Sequence, residues 1–213
     1  GATAILALPT PGPGQGDAMS VRANETALGN LIADGQLYAA QRVAPDTIMA
    51  FQNSGGIREA LPKGEVTVGD LIAVQPFGNR LTLLEVTGAE LLETFESALA
   101  NVPEANGGFL QVSAGTELVF DSRLPVGKRV VSLKVNREGA MQAIDPDTTY
   151  TVATNNFTAA GGDSHAALGA AYDDGRNTIV GNTDWEMLRD HIAALGEVFY
   201  QPEGRITDFA QGE

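Results

Sequence analysis

The chain has 213 residues, 43% hydrophobic and 19% charged, which suits one large domain or two small ones with a sizeable core. Its 13 Lys and Arg against 27 Asp and Glu give a net charge of −14, a surface that repels a polyanion and argues against nucleic acid as a partner. There is no cysteine, so thiol chemistry, disulfides and Cys-based zinc sites are excluded, and no apolar run approaches the ~20 residues of a membrane span.

The start, Gly1 to Leu8, lacks a basic n-region and does not read as a signal peptide. It has no initiator Met and is expected to be the start of an excised piece whose targeting signal lies elsewhere. Pro9 to Asp17 reads as a Pro/Gly linker or surface loop, and residues 1–20 as linker and first strand. Arg22 stands just before a helix signal. Asn24 or Thr26 can cap it, Leu28, Leu31 and Ile32 follow at helical spacing, and the helix is expected to reach about Ala40. Asp46 to Gln52 reads as a buried strand that runs into the glycine turn Asn53-Ser54-Gly55-Gly56-Ile57-Arg58.

Thr67 with Asp70 spells a capping box for a short helix, Val68 to Val74, which stops before Pro76. Phe77-Gly78-Asn79 is a turn, and Arg80 to Val86 a strand. Thr87 with Glu90 is a second capping box; Leu91, Leu92, Phe95, Ala98 and Leu99 make the apolar face behind it, and Asn101 and Pro103 end the helix. Gly107-Gly108 is a turn before Phe109 to Val112. Glu117 to Phe120, Val130 to Val135 and Tyr150 to Thr154 read as strands. After Asn156-Phe157 and Gly161-Gly162-Asp163, Ala166 to Leu168 begins a short helix. Thr183 to Glu186 opens a last helix, lined by Leu188, Ile192 and Leu195 and closed by Gly196. Arg205 to Phe209 reads as a final short strand. The mixture lacks strict βαβ alternation and points to an α+β fold, a single domain with a mixed sheet and packed helices.

His191 lies beside the apolar face of the last helix and reads as a surface or boundary residue. Asp163-Ser164-His165 spells Asp-x-His, yet no second histidine stands at ligand spacing, so no dimetal centre can be assembled. Ser164 lacks a base and an orienting acid. No phosphate-binding loop or dinucleotide fingerprint occurs. What recurs is an aromatic, an amide, an arginine or an aspartate beside a glycine turn. Two rings, Phe77 and Phe157, could form a slot for a flat base. Asn53 and Asn79 suit base or sugar edges, Asp163 suits a ribose diol, and Arg22 and Arg58 supply forked donors for phosphate. Each has a plain structural reading as well: core Phe, turn Asn, exposed Arg, and Asp163 as a helix N-cap.

In order, these segments resemble a known family. They are Arg22 with Leu28-Gly29-Asn30-Leu31-Ile32-Ala33-Asp34, Asn53-Ser54-Gly55-Gly56-Ile57-Arg58, Pro76-Phe77-Gly78-Asn79, Gly107 to Val112, and Asn156-Phe157 with Gly161-Gly162-Asp163. The pattern is similar to the C-terminal, substrate-binding domain of the 5′-nucleotidase and UDP-sugar hydrolase family. The resemblance implies an α+β domain over residues 1–213 of an exported, periplasmic or extracellular hydrolase. The N-terminal metallophosphoesterase domain, with two divalent metal ions, is not in this chain. It implies that Phe77 and Phe157 sandwich the base, with Asn156 beside them. Asn53 and Asn79 lie at base or ribose, Asp163 holds the ribose hydroxyls, and Arg22 and Arg58 approach the phosphate or ribose side. Gly107 lies against the ligand with its backbone. Many relatives continue Gly-Gly-Asp-Gly and then an aromatic; Ser164 and His165 stand there instead. No metal or cofactor is expected in this chain; its partners are a nucleotide or nucleoside and the catalytic domain. Alternatives are a stand-alone nucleotide-binding module, a domain that merely keeps the fold, or a domain of a sulfur-oxidation or cyclic-nucleotide relative.

Overall fold

The computed structural model describes residues 20–211; the expected Pro/Gly loop and first strand lie outside them. Helix α1 (Ala27–Gln41) starts at Thr26, whose hydroxyl accepts from Gly29 N. Strand β1 (Met49–Asn53) leads through a 3-10 turn over Ser54–Gly56 to α2 (Val68–Val74). Strand β2 (Arg80–Thr87) and α3 (Gly88–Ala98) follow, then β3 (Leu110–Val112), β4 (Thr116–Phe120), β5 (Val130–Arg137) and β6 (Ala140–Ala143). Strand β7 (Thr149–Asn155) runs directly into the one-turn α4 (Asn156–Ala159). The chain closes with α5 (Ala166–Asp173), β8 (Asn177–Thr183), α6 (Asp184–Leu195) and β9 (Ile206–Asp208).

The strands form two sheets, ordered β3-β1-β7-β2-β8 and β6-β5-β4-β9. In the first, β1 and β7 are parallel, whereas β3, β2 and β8 pair antiparallel with their neighbours. The C-terminal ends of β1, β7 and β8 therefore share one edge of the sheet with the N-terminal starts of β3 and β2. Its inner strands β1 and β7 are buried on both faces, and the side chains of the sheet alternate between two cores. Phe51, Leu84 and Val152 face a cluster with Leu91 and Phe95 of α3, Leu168 of α5 and Leu118 and Leu133 of the second sheet. Phe51 and Phe95 meet edge to face at 6.0 Å, a favoured aromatic geometry. Ala50, Leu81 and Ala153 face the other way, against Met187 of α6. Beyond them Leu28, Leu31 and Ile32 of α1 pack on Leu188 and Ile192.

Both expected capping boxes form, at Thr67 with Asp70 and at Thr87 with Glu90. Strands β6 and β8 were not expected from the sequence. Both are sheet edges, and β6 is exposed along its whole length, so neither carries the apolar alternation by which a strand is read. Glu90 does more than cap. Its two oxygens take Arg176 Nη2 at 2.6 Å and Nη1 at 2.8 Å, tying α3 to the approach of β8. The arginine bond, first, and the Thr87 bonds hold the carboxyl at about 2, below the ordinary 4.5 and against the opposing effect of its partial burial. A lowered carboxyl pKa means that the folded state binds protons less readily than the unfolded one. Its stabilisation is complete above pH 4.5 and is lost as pH falls through about 2. We expect Glu90→Gln to be less stable than wild type at pH 7 by urea denaturation, with the gap closing between pH 4.5 and 2. A gap that stays constant with pH would show that the charge contributes nothing.

Candidate functional site

The shared edge of the first sheet carries a cavity of about 470 Å³, within the range of small-molecule sites. It is lined by Arg22, from the turn before α1, by Asn53 at the end of β1, and by Gly55, Gly56 and Arg58 beyond it. Phe77 and Asn79 come from the turn between α2 and β2, Gly107 from the loop before β3, and Phe157 and Asp163 from the segment after β7. Of the nine residues singled out from the sequence, eight meet here. Asn156 does not line the cavity; its Oδ1 accepts from Arg80 N at 2.6 Å and joins α4 to the start of β2.

The plain alternative for the two phenylalanines was burial in the core. Phe77 is 60% and Phe157 44% exposed, so neither ring is a core residue. Phe77 carries the Arg58 guanidinium over its face, 5.9 Å from the ring centre, a cation–π distance. Arg58 Nη1 also donates to Gly55 O at 3.3 Å. Arg22 Nε is buried without a hydrogen-bond partner. Among the described residues neither arginine is joined to a carboxylate by an ion pair. Both guanidinium charges are thus available to an anion in a protein that is strongly negative overall.

Asp163 is not a helix cap. Helix α5 begins three residues later, with His165 at its N-cap and no side-chain capping bond. Asp163 Oδ2 instead accepts from Asn53 Nδ2 at 2.7 Å. Its backbone sits in the left-handed region (φ 56°), as does that of Ser164 (φ 74°). Space here is scarce: a Cβ on Gly55 would lie 3.1 Å from Asp163 Oδ2 and 3.3 Å from Gly107 Cα. The two glycines let three chain segments converge on one carboxylate. Behind the loop His165 is fully buried, and its Nε2 meets Gly108 O at 3.0 Å. Burial holds this imidazole below its ordinary pKa, against the opposing pull of the Gly108 carbonyl and Asp163.

Asn79 is fixed through its backbone. Its N donates to Asp184 Oδ2 at 3.1 Å, and its O accepts from Asp184 N at 2.7 Å. Burial raises the Asp184 carboxyl, opposed by the backbone donors of Trp185 and Asn79. In the sequence Asp184 stands out only as part of a helix start, and nothing there signals its burial. His191, expected at a surface or boundary, is instead buried: it is 9% exposed and its Nε2 meets Tyr200 OH at 3.1 Å, because the last helix packs it toward Tyr38 and Tyr200.

The left-handed conformation costs an L-residue roughly 1–2 kcal/mol, from which only glycine is exempt. Glycine in turn loses more backbone entropy on folding, about 0.5–1 kcal/mol relative to alanine. Ser164→Gly is therefore expected to raise unfolding stability by about 0.5–1 kcal/mol, read by chemical denaturation. An unchanged or lower stability would mean that the serine conformation is not strained.

A family model described as the 5′-nucleotidase C-terminal domain matches residues 5–170. The trifunctional nucleotide phosphoesterase protein YfkN of Bacillus subtilis is 40% identical over 190 residues, covering 88% of this chain and 13% of that protein. A snake venom 5′-nucleotidase of Naja atra is 35% identical over 205 residues, covering 90% of this chain and 38% of its own length. The crystal structure of a 5′-nucleotidase precursor from Thermus thermophilus superposes with a TM-score of 0.87 and 37% identity, over 96% of this chain and 39% of that one. This chain therefore spans less than two fifths of each of these proteins. With its fold and the family model in agreement, the chain belongs to the family of 5′-nucleotidase C-terminal domains.

Proposed function

We propose that this domain binds the nucleotide substrate of a 5′-nucleotidase-type phosphoesterase that hydrolyses nucleoside phosphates to nucleoside and phosphate. The observation that carries the reading is the convergence of eight candidate residues on one cavity. Phe77 and Phe157 offer two exposed aromatic faces for a base. Asp163, acceptor-only as a carboxylate, takes ribose hydroxyls. Asn53 and Asn79 lie at base or ribose, and Gly107 gives backbone access. Arg22 and Arg58 draw in the phosphate side.

Hydrolysis belongs, on this reading, to an N-terminal metallophosphoesterase domain of the same protein with two divalent ions. Among the described residues no three His, Cys, Asp or Glu side chains gather in a way that could hold a metal, so no hydrolytic step is assigned to this chain. No described helix is long and apolar enough to cross a membrane. A periplasmic or extracellular location agrees with a relative named as a snake venom enzyme.

The test is calorimetry of AMP and adenosine against the 213-residue chain. Base–aromatic stacking contributes roughly 1–3 kcal/mol per base, so Phe77→Ala and Phe157→Ala should each weaken binding about 5- to 150-fold. Affinities that match wild type would remove the slot. The chain alone is expected to release no phosphate from AMP. Chelator-sensitive release that survives repurification would place catalysis in this chain.

A further inference from the structure

Five buried carboxamides stand behind the cavity wall. They are Gln36 on α1, Gln52 and Asn53 on β1, Gln75 at the C-cap of α2 and Asn155 at the end of β7, none more than 3% exposed. Of these, Asn53 alone lines the cavity. A buried amide without partners is costly; these are joined to one another, and only Gln36 Oε1 and Gln75 Oε1 among their side-chain oxygens lack a partner among the described residues.

Two backbone groups fix the direction of every bond. Thr158 N can only donate, and it donates to Asn155 Oδ1 at 2.9 Å. The amino group of Asn155 must then face the other way, where Nδ2 donates to Asn53 Oδ1 at 2.8 Å. Asn53 O can only accept, and it accepts from Gln52 Nε2 at 2.8 Å; the same nitrogen reaches Asn53 Oδ1 at 2.8 Å. Two donors therefore converge on Asn53 Oδ1 and hold that amide in one orientation. Its Nδ2 is left facing Asp163 Oδ2 at 2.7 Å. At the far end Gln52 Oε1 is filled by Gln36 Nε2, with Gln75 and Asn155 farther off at 3.5 and 3.4 Å. Gly56 belongs to the same device, because the Gln52 amide occupies the space that a side chain there would need.

We infer that this amide chain positions Asp163. It turns Asn53 so that an N–H reaches Oδ2, and the second carboxylate oxygen, which has no hydrogen bond among the described residues, is left to a ligand hydroxyl. Gln52 and Asn155 are positioning residues that set hydroxyl selectivity without touching the ligand. Gln75 and Asn155 each stand two residues before a cavity phenylalanine, so the same chain anchors both aromatic turns. The choice of a ribose hydroxyl as ligand rests on the nucleotide reading above; the orientation of Asn53 does not.

The test uses Asn155→Asp, which keeps the oxygen that caps Thr158 and replaces the Nδ2 donor to Asn53, and its longer contact to Gln52, with a carboxylate oxygen that cannot donate. Gln52→Met is the second variant, losing the other donor at similar length. The first readout needs no ligand: the Asn53 side-chain amide signals in 15N NMR. We expect exchange with solvent to accelerate at least about tenfold in both variants, as for a hydrogen bond lost from a charged acceptor. The second readout is the affinity ratio of AMP to 2′-deoxy-AMP, expected at about tenfold in wild type and near unity in the variants. Leu118→Ala, a cavity on β4 of the second sheet, controls for lost stability and should keep the wild-type ratio. Unchanged Asn53 signals in a folded Asn155→Asp overturn the inference, as does an unchanged ratio in both variants. Altered Asn53 signals in a protein that binds no nucleotide support the positioning role and overturn the nucleotide reading instead.

Discussion

The parallel pairing of β1 with β7 is the constraint from which the site follows. Met49 lies opposite Val152 and Ala50 opposite Ala153, so both strands end at the same edge and deliver Asn53 and Asn155 side by side. An antiparallel pair would have sent the two following turns to opposite ends. Strand β2, antiparallel to β7 with Leu81 opposite Asn155, begins at that edge and brings the Phe77 turn with it. β3, antiparallel to β1 with Asn53 opposite Leu110, does the same for Gly107. Residues far apart in sequence thus meet because five strand ends coincide, and the central strands β1 and β7 that carry two of those ends are buried on both faces. This is the usual place for ligand sites in sheets flanked by helices, where loops vary on a fixed scaffold.

How much of this was legible in the sequence depended on how local each signal was. Capping boxes are read within four residues, and those at Thr67 and Thr87 gave helix starts that match the structure. Buried strands such as β1 and β7 announce themselves by continuous apolar and β-branched residues. The edge strands β6 and β8 are held by ladder bonds and bury little, so composition says almost nothing about them. The cavity residues could be gathered by their chemistry and by family resemblance. The packing behind them could not, because Gln36, Gln52, Gln75 and Asn155 look like ordinary polar residues until pairing brings them together. Gln52, between Phe51 and Asn53 in an otherwise apolar strand, was the one visible hint: a polar residue in a buried run needs a partner. Asp163 was open to two readings, and only the chain direction around it rejects the cap.

Charge works on two scales here. The whole chain carries −14, which over tens of ångströms disfavours anions and is weakened by salt. Within the cavity the balance is reversed by Arg22 and Arg58, which are in no ion pair with a carboxylate among the described residues. Only Asp163 supplies a negative charge among the lining residues. Short-range interactions in a recess are screened less than those across the open surface. A small anion that also carries hydroxyls and a flat ring satisfies all three kinds of lining group at once, whereas a polyanion meets the acidic exterior first. On the proposed nucleotide reading, the cavity would select by this combination and not by net charge.

The loop that carries Asp163 shows how a local cost is kept in the fold. Two consecutive non-glycine residues in the left-handed region are unfavourable, though less so for aspartate than for serine. The pair is pinned on both flanks. On one side Asp163 accepts from an amide whose orientation is dictated from behind; on the other, His165 is locked by burial and by the Gly108 carbonyl. A hydrogen bond to a charged group contributes about 1.5–3 kcal/mol, comparable with the roughly 1–2 kcal/mol that a left-handed residue costs. Relaxing the loop to an ordinary conformation would withdraw the carboxylate from Asn53 and the ring from Gly108 together. The strain is therefore coupled to placement: the conformation that is locally poor is the one that points a carboxylate into the cavity.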